Sequence, residues 1–271
     1  MLIVSIVLVL ILLYLLAIMP KMVNRPNMKE WERYYYAHRG FHQEKNIAPE
    51  NSLAAFQLAV DYGYGIELDV QLTKDHIPVV FHDYSLKRVC GVDCKVKDLT
   101  YSELRRFHLY SSNEKIPHFQ EVLDLVDGKV PLIIELKSED PRDLLWSIAA
   151  SYLDHYKGVY CIESFNPFGV LWFKRNRPKI IRGQLSSDFI RDKATGSKLK
   201  HILLKNMLLN FLTKPNFIAY NHKYRKAFSF SLCHWLYQIP CAAWTVRSQK
   251  ELNKVRKSFD LFIFEHFSPE E

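Results

Sequence analysis

The hydrophobic pattern changes character twice along the chain. From Leu2 to Met19 it is unbroken, and only Ser5 and Tyr14 carry polar side-chain groups. A run with no polar face is not an amphipathic surface helix. At 1.5 Å per residue, about 18 residues span roughly 27 Å, close to the hydrocarbon thickness of a bilayer. No basic stretch precedes the run, and Ala17-Ile18-Met19-Pro20 offers no A-x-A cleavage site. The expectation is therefore an uncleaved, single-pass transmembrane anchor over residues 1–20, not a signal peptide. Lys21, Arg25, Lys29 and Arg33 all lie on its C-terminal side, which predicts a membrane protein whose bulk is cytoplasmic. Residues 21–34, introduced by Pro20 and containing Pro26, read as a polar linker.

From Tyr35 onward, short β-type runs alternate with stretches of helical period. The predicted strands begin at Tyr34, Ile66, Ile77, Pro131, Val159, Lys179, Asn216 and Cys241. Between them, Leu53, Phe56 and Val60 recur at helical spacing, and Pro167 opens a helix at the position where proline is favoured. Lys198–Leu212 reads as one basic amphipathic helix, and residues 84–118 as a polar, irregular insertion with a short helix near Tyr101–Phe107. A last apolar run, Leu261–Phe264, follows the final predicted strand. Roughly 235 residues remain after the anchor and linker, near the ~250 typical of a (β/α)8 barrel. The fold class is thus α/β, a TIM barrel over 35–271 with a small insertion after the third strand. An open doubly wound sheet fits less well, because Gly40 stands alone after the first strand where a nucleotide-binding turn needs several glycines.

Composition narrows the classes further. Hydrophobic residues make up 48% and aromatic residues 14%, which excludes a disordered chain. Lys plus Arg total 37 against 29 for Asp plus Glu, a net charge of +8 spread along the chain. That excess suits an anionic substrate or a membrane surface without choosing between them. Five cysteines make a poor disulfide framework and read as reduced thiols. No Walker A sequence, serine nucleophile elbow, H-E-x-x-H or nucleic-acid-binding signature is present.

Polar groups collect where the strands end: His38-Arg39-Gly40, Glu67-Leu68-Asp69, His82-Asp83, Glu135-Leu136-Lys137 and Glu163-Ser164-Phe165. Barrel enzymes place their chemistry at those C-terminal ends. Residues two apart on a strand share a face, so Glu67 points with Asp69, and Glu135 with Lys137. Three carboxylates on neighbouring inward positions repel one another unless a cation lies between them, and a hard divalent ion answers that need. His38 and His82 would flank it, suited to proton transfer near neutral pH. Arg39 and Lys137 add positive charge at the same mouth, which suits a phosphate ester better than a glycoside.

In order, Ala37-His38-Arg39-Gly40, Pro49-Glu50-Asn51-Ser52, Glu67-Leu68-Asp69-Val70, His82-Asp83, Glu135-Leu136-Lys137, Ser164-Phe165 and Trp244-Thr245-Val246 resemble the glycerophosphodiester phosphodiesterases, metal-dependent (β/α)8 barrels. The resemblance covers nearly the whole chain after residue 34. It implies hydrolysis of a glycerophosphodiester to sn-glycerol 3-phosphate and an alcohol. By position it makes Glu67, Asp69 and Glu135 ligands of one divalent cation, Mg2+ or Ca2+, with Glu50 joining or supporting them. It makes His38 and His82 the acid/base pair working through a cyclic phosphate, Arg39 and Lys137 the phosphate holders, and Trp244 a wall of the glycerol pocket. One departure is Phe264-Glu265-His266, where the family usually has small polar residues. Two other readings stay open: a lysophospholipase D acting on lysophospholipids at a membrane, and a catalytically silent barrel binding phospholipid headgroups.

Overall fold

A computed structural model describes residues 1–42, 46–138, 140 and 142–270. Nine strands form one sheet: β1 (Tyr35–His38), β2 (Gly65–Leu72), β3 (Pro78–Val80), β4 (Leu132–Leu136), β5 (Tyr160–Ser164), β6 (Ile181–Ser186), β7 (Phe217–Asn221), β8 (Cys241–Val246) and β9 (Leu261–Phe264). All except β3 run parallel, and β1 pairs with both β2 and β9, so eight strands close into a barrel. Helices including Leu53–Asp61, Phe119–Val126, Leu145–Leu153 and Pro167–Asn176 cover its outside.

Two elements exchange the roles that periodicity gave them. The run from Ile77 is not a barrel stave: only Pro78–Val80 is extended, antiparallel to β2. The missing N–H of Pro78 suits such an edge position. The eighth stave is the terminal apolar run Leu261–Phe264, between β8 and β1. Both runs are short and apolar, and only the pairing partner distinguishes them. The helix expected over Lys198–Leu212 is also broken, into Lys198–Lys205 and Asn210–Thr213, with Met207 between them at a φ of 53°.

Alternation along the staves divides the core in two. Tyr36, Ile133, Cys161, Leu185, Phe217 and Ile263 belong to the cluster filling the barrel. Intervening residues such as Leu68, Ile134, Ile162 and Ile218 meet the helices. Gly183 makes room inside the barrel, since a Cβ there would lie 2.3 Å from the Phe217 ring. Met28 and Trp31, from the stretch before β1, join the interior cluster at its N-terminal end, where the Tyr36 hydroxyl donates to the Trp31 carbonyl at 3.1 Å. Segment 84–118 has a small core of its own around Leu86, Val96, Leu104 and Ile116.

The single-pass membrane anchor is corrected here. The N-terminal helix, Leu2–Ile18, has 17 residues and rises roughly 25 Å at 1.5 Å per residue. Among the described residues no helix is long and apolar enough to cross a membrane. The physical reason is that the end of the apolar run is used by the barrel. Ile18 is buried, Tyr14 shares a hydrogen bond with Ser229 at 2.7 Å, and the Tyr237 hydroxyl donates to the Leu15 carbonyl at 2.8 Å. An unbroken hydrophobic stretch reports its total apolar length but not how much of it packs on its own protein.

Candidate active site

The C-terminal ends of β1, β2 and β4 bring the charged residues together. Parallel register sets Asp69 beside Glu135, and Glu135 beside Glu163, on adjacent staves. Carboxylate oxygens of Glu67, Asp69 and Glu135 all lie within 4.8 Å of one another, and all three residues are buried. Lys137 leans over them, with Nζ 3.0 Å from Glu135 Oε1 and 3.4 Å from Asp69 Oδ1. Asn51 donates to Asp69 Oδ2 at 2.8 Å.

The turn after β1 delivers Arg39. Its φ of 57° and the 81° of Gly40 fold the chain back sharply. A Cβ on Gly40 would lie 2.9 Å from the Ala55 backbone, so glycine is required there. The turn aims the Arg39 amide at Glu67 Oε2, 3.1 Å away, and its guanidinium at Glu50 Oε1, 2.6 Å away. Glu50 lies apart from the three clustered carboxylates: Arg88 grips it at 2.7 Å and the Tyr110 hydroxyl donates to it at 3.0 Å. Arg88 and Tyr110 both come from segment 84–118, so that segment closes one side of the mouth.

Electrostatics sorts the acids. Burial, and then the negative charge of Asp69, Glu163 and Glu135, pushes the Glu67 carboxyl well above its usual value. Burial likewise raises Glu135 and Glu163. Burial works against the Asp69 anion too, but the charges of His82, Lys137 and Arg39 outweigh it and hold Asp69 low. The Lys137 ammonium, opposed by burial, is raised by Glu135 and Asp69 and stays charged. Asp69 Oδ1 is buried without a hydrogen bond. A buried carboxylate oxygen that meets a lysine charge but accepts no hydrogen bond, together with mutually repelling oxygen donors, fits a hard divalent cation.

Each histidine carries a carboxylate on its Nδ1. His38 Nδ1 is 2.6 Å from Glu265 Oε2, and its Nε2 lies 3.9 Å from Glu67. His82 Nδ1 is 2.6 Å from Asp83 Oδ1. Burial, then the Arg39 charge, lowers the His38 imidazole to about 4 against the opposing pull of Glu265. On the far side Trp244 meets Phe165 edge to face at 5.6 Å, and its indole N–H is buried without a partner.

Glu265, Asp83, Arg88, Tyr110 and Glu163 received no role from the sequence. Glu265 stood out as a departure from the expected small polar residue, and that was its only signal. Asp83 and Glu163 were visible beside assigned residues. Arg88 and Tyr110 carry no local pattern, because their partner Glu50 lies elsewhere in the chain.

The solved structure of an Oleispira antarctica phosphodiesterase in complex with the product sn-glycerol-3-phosphate has a TM-score of 0.68 at 23% identity, covering 85% of this chain and 92% of that one. A glycerophosphodiester phosphodiesterase from Thermotoga maritima gives 0.64 at 22% identity, covering 85% and 94%. These likenesses establish the barrel fold. In sequence, the Bacillus subtilis protein YhdW is 43% identical over 243 residues, 82% of this chain and 90% of YhdW. The Bacillus altitudinis glycerophosphodiester phosphodiesterase is 42% identical over 167 residues, 57% of this chain and 67% of that protein. Residues 38–259 match the glycerophosphoryl diester phosphodiesterase family. The chain belongs to that family, whose members hydrolyse glycerophosphodiesters, and it is a phosphoric diester hydrolase.

Proposed function

We propose that the mouth of this barrel hydrolyses a glycerophosphodiester to sn-glycerol 3-phosphate and an alcohol by histidine acid/base catalysis. The observation that carries the reading is the convergence of two carboxylate-backed histidines on a buried group of three acids flanked by Arg39 and Lys137. Glu67, Asp69 and Glu135 would hold Mg2+ or Ca2+, with Glu50 fixing Arg39 beside them. When bound, such an ion supplies Lewis acidity to the phosphoryl group.

Arg39 and Lys137 orient the phosphoryl oxygens and offset their growing charge. One histidine takes the proton from the glycerol 2-hydroxyl, whose oxygen attacks phosphorus in line. The other protonates the departing alcohol, leaving a five-membered cyclic phosphate. The histidines then exchange roles: the second deprotonates a water that opens the ring, and the first returns a proton to the 2-oxygen. Glu265 and Asp83 hold each imidazole with one nitrogen facing the substrate. Trp244 and Phe165 wall the glycerol, with the free indole N–H available to a hydroxyl.

A second substrate reading, the lysophospholipid one, is favoured by a specific cavity. A space of about 710 Å³ begins at Phe165 and runs past Phe189 to Leu199, Leu203 and Leu204. Phe165 thus faces both the glycerol wall and this largely apolar space, which suits an acyl chain carried on the glycerol.

Phosphorus NMR of products tests both readings, with glycerophosphocholine and a lysophospholipid as substrates. sn-Glycerol 3-phosphate is expected from the first, and no hydrolysis of either would remove both substrate readings. Filling the cavity by Leu204→Trp should lower lysophospholipid turnover relative to glycerophosphocholine turnover by about tenfold or more. An unchanged ratio removes the second reading.

A further inference from the structure

The opposite end of the barrel holds an arginine with no counter-charge. Arg182, second residue of β6, points outward into the layer between sheet and helices and is 3% exposed. Its Nη2 donates to the Lys214 carbonyl at 3.0 Å, but Nε and Nη1 are buried without a hydrogen bond. The two unpartnered nitrogens carry three of the five guanidinium N–H groups. A buried, unpaired charge of this kind is costly and calls for a partner.

Three lysines gather on the same spot. Lys174, in the last turn of helix Pro167–Asn176, reaches the Leu212 carbonyl with Nζ at 2.7 Å. Lys214 lies two residues further along that loop, and its Nζ is 3.3 Å from the Met19 carbonyl. The Lys21 amide bonds to the Pro215 carbonyl at 3.1 Å. None of the four cations has a carboxylate within ion-pair distance among the described residues. They depress one another instead: after burial, the charge of Arg182 is the next cause lowering Lys21 and Lys174, and the charge of Lys174 the next cause lowering Lys214. The three lysines are partly exposed, and the guanidinium lies buried beside them, so an anion would reach it only as those side chains shift aside.

We infer that Arg182, Lys21, Lys174 and Lys214 form a second anion site, specific for a phosphate dianion and separate from the catalytic mouth. Four positive charges favour a doubly charged oxyanion over a carboxylate. A tetrahedral phosphate supplies enough acceptors for the open guanidinium hydrogens and the lysine ammonium groups. The phosphate comes free or as a phosphomonoester of a small molecule. The site lies at the N-terminal ends of the staves, so its occupation acts on stability rather than on the reaction.

The test is thermal unfolding of the full chain against inorganic phosphate or sn-glycerol 3-phosphate, at ionic strength matched with chloride. Wild-type protein should show a saturable rise of roughly 5 °C at a hundredfold excess over Kd. In Arg182→Met that rise should shrink to whatever the mouth contributes, while competitive inhibition of turnover by phosphate is retained. The milder Lys174→Met should weaken the response without abolishing it. The tighter of the two ligands identifies the source of the phosphate. No saturable response in wild type, or one that Arg182→Met leaves unchanged, overturns the site, and neither result bears on the catalytic reading.

Discussion

His38 and His82 are built alike, each with a carboxylate on its Nδ1, but their partners come from different distances. Asp83 is the next residue in the chain, whereas Glu265 is 227 positions away. That separation explains what the sequence could convey. Motif spacing shows which residues share a strand face, so Glu67 with Asp69 and Glu135 with Lys137 were legible. A partner brought in by barrel closure leaves no local pattern. Replacing either histidine by alanine should lower turnover by ~10²-fold or more, and near-normal rates in both would remove the acid/base assignment. Glu265→Gln keeps the shape but loses the negative charge that orients and stabilises the imidazolium. It should cost roughly 10- to 100-fold in kcat with KM little changed, and an equal loss through KM alone would show a binding role instead.

Elements were legible wherever hydrophobic period alone defines them. The parallel staves and most helices fall close to the positions that period implied. Errors arose where identity depends on a neighbour: Pro78–Val80 is an edge strand because Pro78 cannot complete a ladder, and Leu261–Phe264 is a stave because β1 and β8 both need a partner. Trp31 makes the same point. In a stretch that reads as polar linker, it is 4% exposed, stacked on Tyr36 and seated under the barrel interior. Truncating so large a buried ring leaves a cavity that the closed barrel cannot collapse to fill. Trp31→Ala should therefore destabilise the fold by about 3–5 kcal/mol, measured by denaturant unfolding. A change below about 1 kcal/mol, within the range of surface substitutions, would mean that the stretch before β1 is dispensable to the barrel.

At the scale of the whole molecule, the barrel concentrates opposite problems at its two ends: carboxylates crowded at the mouth, and cations crowded around Arg182. Both are places where folding alone leaves charge uncompensated, so at both ends stability should depend on what is bound. At the mouth, burial and mutual repulsion raise Glu67 and Glu135, while Lys137 reaches only Glu135 and Asp69. An ion that binds only the folded arrangement stabilises it by mass action, by about 2.7 kcal/mol at a hundredfold excess over Kd. Mg2+ or Ca2+ should raise Tm saturably, and a chelator should remove both that increment and turnover. Glu135→Gln should abolish the Tm response, because it withdraws one charged donor while easing the repulsion. In the absence of ion the variant should then be as stable as wild type or more so. A Tm indifferent to divalent ions, together with chelator-resistant turnover, would leave Lys137 and Arg39 as the mouth's only compensation, and the three acids would have to be explained without a metal.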